Sequence, residues 1–241
     1  VRGTLFIAER SYDDWRRWTP LGRLDVDLAR PWYRFRHVKG AERAEELGIL
    51  LPVSGFGKLS GDYQSEHLFP VFQNRVMNRR RPDLPDYLKG MDLSPSVDPI
   101  HALWVDGGYR VTDRLNVFPK LTRGDDGSFR CRFFAHRTRH LNSDAQRRVE
   151  ALKPGETLHL SPEFPESPAV AIYTRDRQLV GWTPMFLARE IALAGPAARQ
   201  EARVVRVNPA PRPSSRRVLV EARCMWENHE PMSGEDFEPL V

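Results

Sequence analysis

Apolar and polar positions change period along this chain, and the change divides it. Thr4-Leu5-Phe6-Ile7-Ala8 reads as an opening strand, while Leu24–Leu28 and Trp32–Val38 alternate as half-buried strands do. Helical spacing interrupts them. A short helix is predicted from Ser11, with Asp13 and Asp14 in its first turn. Another is predicted over Ala41–Leu47, ended by Gly48. Leu68, Phe72, Val76 and Met77 share one helical face, which predicts an amphipathic helix across Ser65–Met77. Asp83 begins a further short helix that ends near Gly90, and Asp98-Pro99 heads the next. Gly107-Gly108 then turns the chain into a strand at Arg114–Pro119.

Beyond Lys120–Gly127, a polar and turn-rich stretch that reads as a linker, strand spacing takes over. Bulky apolar and basic residues mix at strand spacing from Phe129 to His140, and a polar helix follows, ending at Leu152. After the turn Lys153-Pro154-Gly155-Glu156, strands are predicted at Thr157–Leu160, Ala169–Tyr173 and Leu179–Pro184. Ser161–Pro168 is too proline-rich for a central strand or a helix. A short helix at Phe186–Ala192 and strands at Val204–Val207 and Arg217–Trp226 complete the pattern. The fold class this implies is α+β. A mixed α+β domain over residues 1–123 would precede a small β-barrel domain over residues 124–241, with an acidic end only loosely held.

Composition narrows the chemistry. At 40% hydrophobic and 29% charged, with no low-complexity tract, the chain is an ordinary globular one. Cys131 and Cys224 have no C-x-x-C neighbour, so a reduced, cytoplasmic setting is expected rather than a disulfide framework. No apolar run approaches the ~18 residues of a membrane-spanning helix, and the opening Val1-Arg2-Gly3-Thr4 lacks a signal-peptide pattern. A net charge of +5 and a pI near 9.5 lean towards a polyanionic partner. The lean is local: Phe129–Arg223 carries 17 Lys and Arg against 9 Asp and Glu, and the acidic Glu227–Glu238 follows.

Enzyme motifs are missing from this pattern. Gly55-Phe56-Gly57-Lys58-Leu59-Ser60-Gly61 has one residue between its glycines and Leu after its Lys, so a turn accounts for it better than a phosphate loop. There is no G-x-S-x-G elbow. His136 and His140 would share a strand face, yet at ~3.3 Å per residue they stand too far apart to chelate together. Neither a metal nor a cofactor is expected. Arg79-Arg80-Arg81 reads as a solvated helix end. Nucleic-acid binding survives, because a single strand needs cations for phosphates and flat side chains for bases. Arg137, Arg139, His140 and Trp182 offer both, and Arg132 with Arg130 would extend the groove. The competing reading makes Trp182 a core residue and the arginines a solvated face.

Two resemblances sharpen these alternatives. Arg139-His140, the Pro154-Gly155 turn, Ala169-Val170-Ala171-Ile172 and Val180-Gly181-Trp182-Thr183-Pro184 with Leu187-Ala188 resemble the HIRAN family, over about Arg130–Ile191. The resemblance implies an OB-like barrel that binds single-stranded DNA or a DNA 3′ end. Arg139 and His140 would take the place of the family's basic–aromatic pair, and Trp182 that of the residue after the strand glycine. The family's Asn-x-x-Asp loop is not matched: Glu163–Pro168 has neither Asn nor Asp. Phe72, Asn74, Asp98-Pro99, Gly107-Gly108 and Val117-Phe118-Pro119 are similar in order to the N-terminal subdomain of HipA-like proteins, over about Leu50–Pro119. That implies an interaction domain without phosphotransfer. The expected function is a non-enzymatic binder of single-stranded DNA or DNA ends in repair or defence. The alternative is a protein partner in a HipA-like toxin–antitoxin or regulatory complex, using the N-terminal half, and a hydrolase with an unrecognised site is a third class.

Overall fold

The opening alternation becomes β1 (Arg2–Arg10), β2 (Trp18–Asp27) and β3 (Trp32–His37), followed by α1 (Lys39–Glu46). This computed structural model describes residues 2–10, 18–46, 48, 53–110, 113–164, 167–196 and 199–241. The helix expected from Ser11 lies outside them. Next come β4 (Asp62–Ser65), α2 (Pro70–Gln73), α3 (Leu84–Gly90), α4 (Leu103–Asp106) and β5 (Leu115–Pro119). The rest of the chain forms β6 (Phe129–Phe134), α5 (Ser143–Glu150), β7 (Thr157–Phe164), β8 (Ser167–Thr174), β9 (Leu179–Trp182), α6 (Met185–Ala194), β10 (Arg199–Val207) and β11 (Val218–Met225). The fold is α+β, in two compact units: residues 1–81, 98–120 and 231–241 form one, and 82–97 with 121–230 form the other. A cut at 123/124 would therefore assign α3 and the last eleven residues to the wrong unit.

The first unit is an antiparallel sheet in the order β4-β3-β2-β1-β5. Alternation sends Leu5, Ile7, Leu24, Val26, Phe35 and Val117 to one face, where they form a core with Phe56, Phe72 and Leu103. Phe56 stacks on Phe35 with centroids 3.8 Å apart, so the glycine-rich loop holds an aromatic plug. β4 was not predicted, because Asp-Tyr-Gln-Ser carries no strand pattern. Its pairing with β3 is reinforced by Arg34, which donates to both Asp62 oxygens at 2.8 and 2.7 Å. The helix expected over Ser65–Met77 shrinks to α2, and Pro70 sets its start, since proline can occupy only a first turn. Arg75 then turns inward instead of lying on a helix face. Its guanidinium donates to the Gly108 and Leu115 carbonyls and to Asp113, at 3.1, 3.4 and 2.5 Å. Asp98 caps the 3-10 helix Pro99–Ala102, which runs into α4, accepting from the Ile100 N–H at 3.0 Å.

The acidic end is not loose. Pro239 bridges Val38, and the Lys39 N–H donates to the Glu238 carbonyl at 2.9 Å. Phe237 packs edge-on against Phe6, centroids 4.9 Å apart. An apolar anchor inside a charged stretch overrides the composition that suggested fraying.

The second unit is an antiparallel sheet in the order β6-β11-β10-β7-β8-β9, with α3, α5 and α6. The stretch read as a linker contains a boundary between the units, after Lys120, and the rest of it, residues 121–127, is a tight turn of this unit. Gly124 and Ser128 pair through the backbone at 2.8 Å, and Arg123 bridges Phe129. Asp126 accepts from the Ser128 hydroxyl, Arg130 and Arg223, at 2.6, 2.7 and 3.0 Å. The bonds from Ser128, its hydroxyl first, and from Arg130 hold the carboxyl well below the usual range. Pro162 does not end β7. The strand continues through a register irregularity between Pro162 and Phe164 and forms a hairpin with β8. Cys131 and Cys224 are free and buried, and burial pushes both thiols up, Cys224 to about 12.

Candidate nucleic-acid interface

The strand spacing read from Phe129 to His140 ends early. β6 stops at Phe134, and the Ala135 N–H donates to the Val218 carbonyl of β11 at 2.9 Å. At the next residue the chain changes partner: His136 exchanges both main-chain hydrogen bonds with Trp182 at the end of β9, at 2.8 and 3.1 Å. The sheet is curled so that the continuation of one edge strand meets the other edge. Gly181 makes this approach possible. Its φ is +152°, and a Cβ there would stand 2.6 Å from the His136 carbonyl oxygen.

Past the bridge, Arg137 takes a left-handed conformation (φ 59°, ψ 18°), and Thr138–His140 forms one 3-10 turn rather than a strand end. Thr138 is buried, and its hydroxyl donates to the Ser214 carbonyl at 2.5 Å. Asn142 closes the segment by capping α5, accepting from the Ala145 N–H at 2.9 Å. A turn pinned at both ends thus presents Arg137, Arg139 and His140 to solvent.

These residues meet in pairs. The Arg137 guanidinium stands 5.8 Å from the centre of the Trp182 ring, within cation–π range. Trp182 is half-buried, so it is neither a core residue nor a free one. Arg139 donates through Nε to His140 Nε2 at 2.9 Å, which requires the His140 proton on Nδ1. Arg132 is a different case. It donates to Glu221 at 2.9 Å and to Asp92 at 3.3 Å, so its charge is met within the protein and it does not join this cluster. Arg130 is likewise held by Asp126. His136 and His140 lie on different elements, and no three His, Cys, Asp or Glu among the described residues are grouped so as to hold a metal. Side chains over Glu163–Pro168 lie outside the described residues.

No protein-family model matches this chain. No curated protein matches it either. A solved structure of a structural-genomics target from Lactobacillus plantarum is similar over 41% of this chain and 98% of that one, at 13% identity and a TM-score of 0.31. A likeness that slight has no bearing on function.

Sequence reasoning missed the parts that fix the turn: Thr138, the Ser214 carbonyl that receives its hydroxyl, and the left-handed Arg137. Pro209–Ser215 looked like a featureless loop. It contains a 3-10 turn, Ser214–Arg216, directly against Thr138, with Arg216 5.0 Å from the Tyr87 ring centre. Only the Gly181-Trp182 pair carried a readable signal, a glycine inside a strand pattern. No helix among the described residues is long and apolar enough to cross a membrane.

Proposed function

We propose that this protein is a non-enzymatic binder of single-stranded DNA or DNA ends, with a role in DNA repair or defence. In this reading the curled sheet of the second unit is an OB-like, HIRAN-type barrel. The observation that carries the reading is the Arg137–Trp182 pair beside exposed Arg139 and His140 on a turn pinned by Thr138. A half-buried indole with one face towards a guanidinium offers a surface for a base, and Arg139 offers a cation for the adjoining phosphate. The basic excess over Phe129–Arg223 supports the same reading.

Fluorescence anisotropy with single-stranded, duplex and 3′-blocked oligonucleotides at two salt concentrations tests it. Single strands should bind more tightly than duplex. The absence of an Asn-x-x-Asp loop predicts weak discrimination between a free and a blocked 3′ hydroxyl. Stacking is worth ~1–3 kcal/mol per base, so Trp182→Ala should weaken binding roughly five- to 150-fold. Arg139→Ala should weaken it and flatten the salt dependence by about 0.7 units of slope. Two folded variants that bind single strands as the parent does would refute the assignment.

A further inference from the structure

Residues 231–241 lie on the first unit in the manner of a bound peptide. The segment pairs with the end of β3 and the start of α1: Pro239 bridges Val38, the Lys39 N–H donates to the Glu238 carbonyl at 2.9 Å, and the Leu240 N–H donates to the His37 carbonyl at 3.0 Å. Arg36 donates to the Val241 carbonyl at 2.8 Å. Phe237 rests on Phe6 and Trp18, at 4.9 and 6.3 Å between centroids. Phe6 and Phe118 are register partners, on the sheet face opposite the core side chains Leu5, Ile7 and Val117. Three carboxylates flank the ring. Glu238 meets Lys39 at 2.7 Å, Asp236 meets Arg43 at 2.6 Å, and Glu235 meets both cations at 3.6 Å. Gly40 leaves room for the approach, since a Cβ there would come within 3.1 Å of the Asp236 carbonyl.

This arrangement has the three parts of strand-type peptide recognition: main-chain pairing for grip, a seat for one side chain, and charge complementarity for register. Its attachment is firm at Pro231 and Met232, which are buried, and shallower beyond them. Phe237 is only half-buried, and the ion-pairing side chains of Lys39, Arg43, Glu235 and Glu238 are 38–64% exposed, where each pair contributes little.

We propose that this surface is a peptide-binding site for a partner protein. Its ligand is an extended acidic segment with a phenylalanine between carboxylates, and residues 231–241 occupy the site as a displaceable internal competitor. The inference is independent of the DNA-binding reading, which concerns the second unit.

The probe is a fluorescein-labelled synthetic peptide with the sequence of residues 231–241. The full chain carrying Phe237→Ala, which loosens the internal segment, should bind it saturably. The parent chain should bind at least tenfold more weakly, because its own segment competes. Lys39→Glu with Arg43→Glu in the Phe237→Ala background should abolish binding, as should replacing the peptide's Phe with Ala. A folded Phe237→Ala chain that takes up no peptide, or binds no better than the parent, overturns the proposal. If Phe237→Ala does not fold, a protease site inserted between Glu230 and Pro231 and cleaved after folding gives the same readout. Exchange of the nicked segment for labelled peptide supports the proposal, and a segment that never exchanges overturns it. A concentration-dependent dimer without peptide uptake would overturn it in favour of exchange between two copies of this chain.

Discussion

Gly181 and Arg137 hold the candidate interface together through backbone geometry. Alanine at position 181 would have to keep a φ of +152° and place its Cβ 2.6 Å from a main-chain oxygen, so the His136–Trp182 bridge must open. Gly181→Ala should destabilise the protein by about 2 kcal/mol or more, the combined effect of a strained φ and a backbone clash. It should also weaken oligonucleotide binding in the same preparation. Urea denaturation checks the first, and an unchanged midpoint would contradict the close approach. This position was legible, because glycine inside a strand pattern commonly marks a close backbone contact. Arg137 was not. Its side chain has no preference for the left-handed region, and bulky–basic alternation continued smoothly through it. The early end of β6 follows from a partner exchange with β9, a contact 46 residues away that no local pattern encodes.

Among the elements, β6, β10 and β11 share a chain of charges that holds Arg132 apart from the Arg137–Trp182 cluster. Glu221 on β11 receives Arg132 from β6 at 2.9 Å and Arg203 from β10 at 2.6 Å, while Asp92 receives Arg132 and Arg206 at 3.3 and 3.1 Å. Burial raises the Glu221 pKa, but the bonds from the two arginines together outweigh it and leave the carboxyl below its ordinary value. A depressed folded-state pKa contributes stability above the unfolded value of 4.5, and that contribution is lost as pH falls through the folded value. Glu221→Gln should therefore cost about 1–2 kcal/mol near pH 7, with the difference from the parent shrinking as pH falls below 4.5. Urea titrations at the two pH values test this; a difference that grows in acid would reverse the sign. Arg132→Ala should leave the salt slope of DNA binding unchanged. Register opposite Glu221 determines the role of Arg132, and register was not readable from β6 alone.

At the scale of the molecule, each unit is drawn from separate stretches of chain. Residues 231–241 complete the first unit, and residues 82–97 belong to the second. A single cut between Asp125 and Asp126 therefore leaves each unit with material from both fragments. On size exclusion under native conditions the nicked chain should elute as one species, with two bands appearing only after denaturation. Two separately eluting compact pieces, the outcome expected from a linker at Lys120–Gly127, would contradict this division.

The amino-acid pattern by itself determined β3, whose alternation over Trp32–Val38 matches its period-two burial, and located β1, β5 and β11 as apolar runs that the fold buries at consecutive positions. It also determined the Asp98 cap and the glycine stops, which depend on one or two neighbours. Tertiary structure decided what depends on distant partners. It decided the fate of Arg75 in the Ser65–Met77 pattern, whose buried guanidinium binds the Gly108 turn; the limit that Pro70 sets on the helix start is local. It decided that Arg223 joins the turn at Asp126, and the docking of Phe237 on Phe6. Residues this far apart in sequence interact only once the chain has folded, so the local period carries no trace of them.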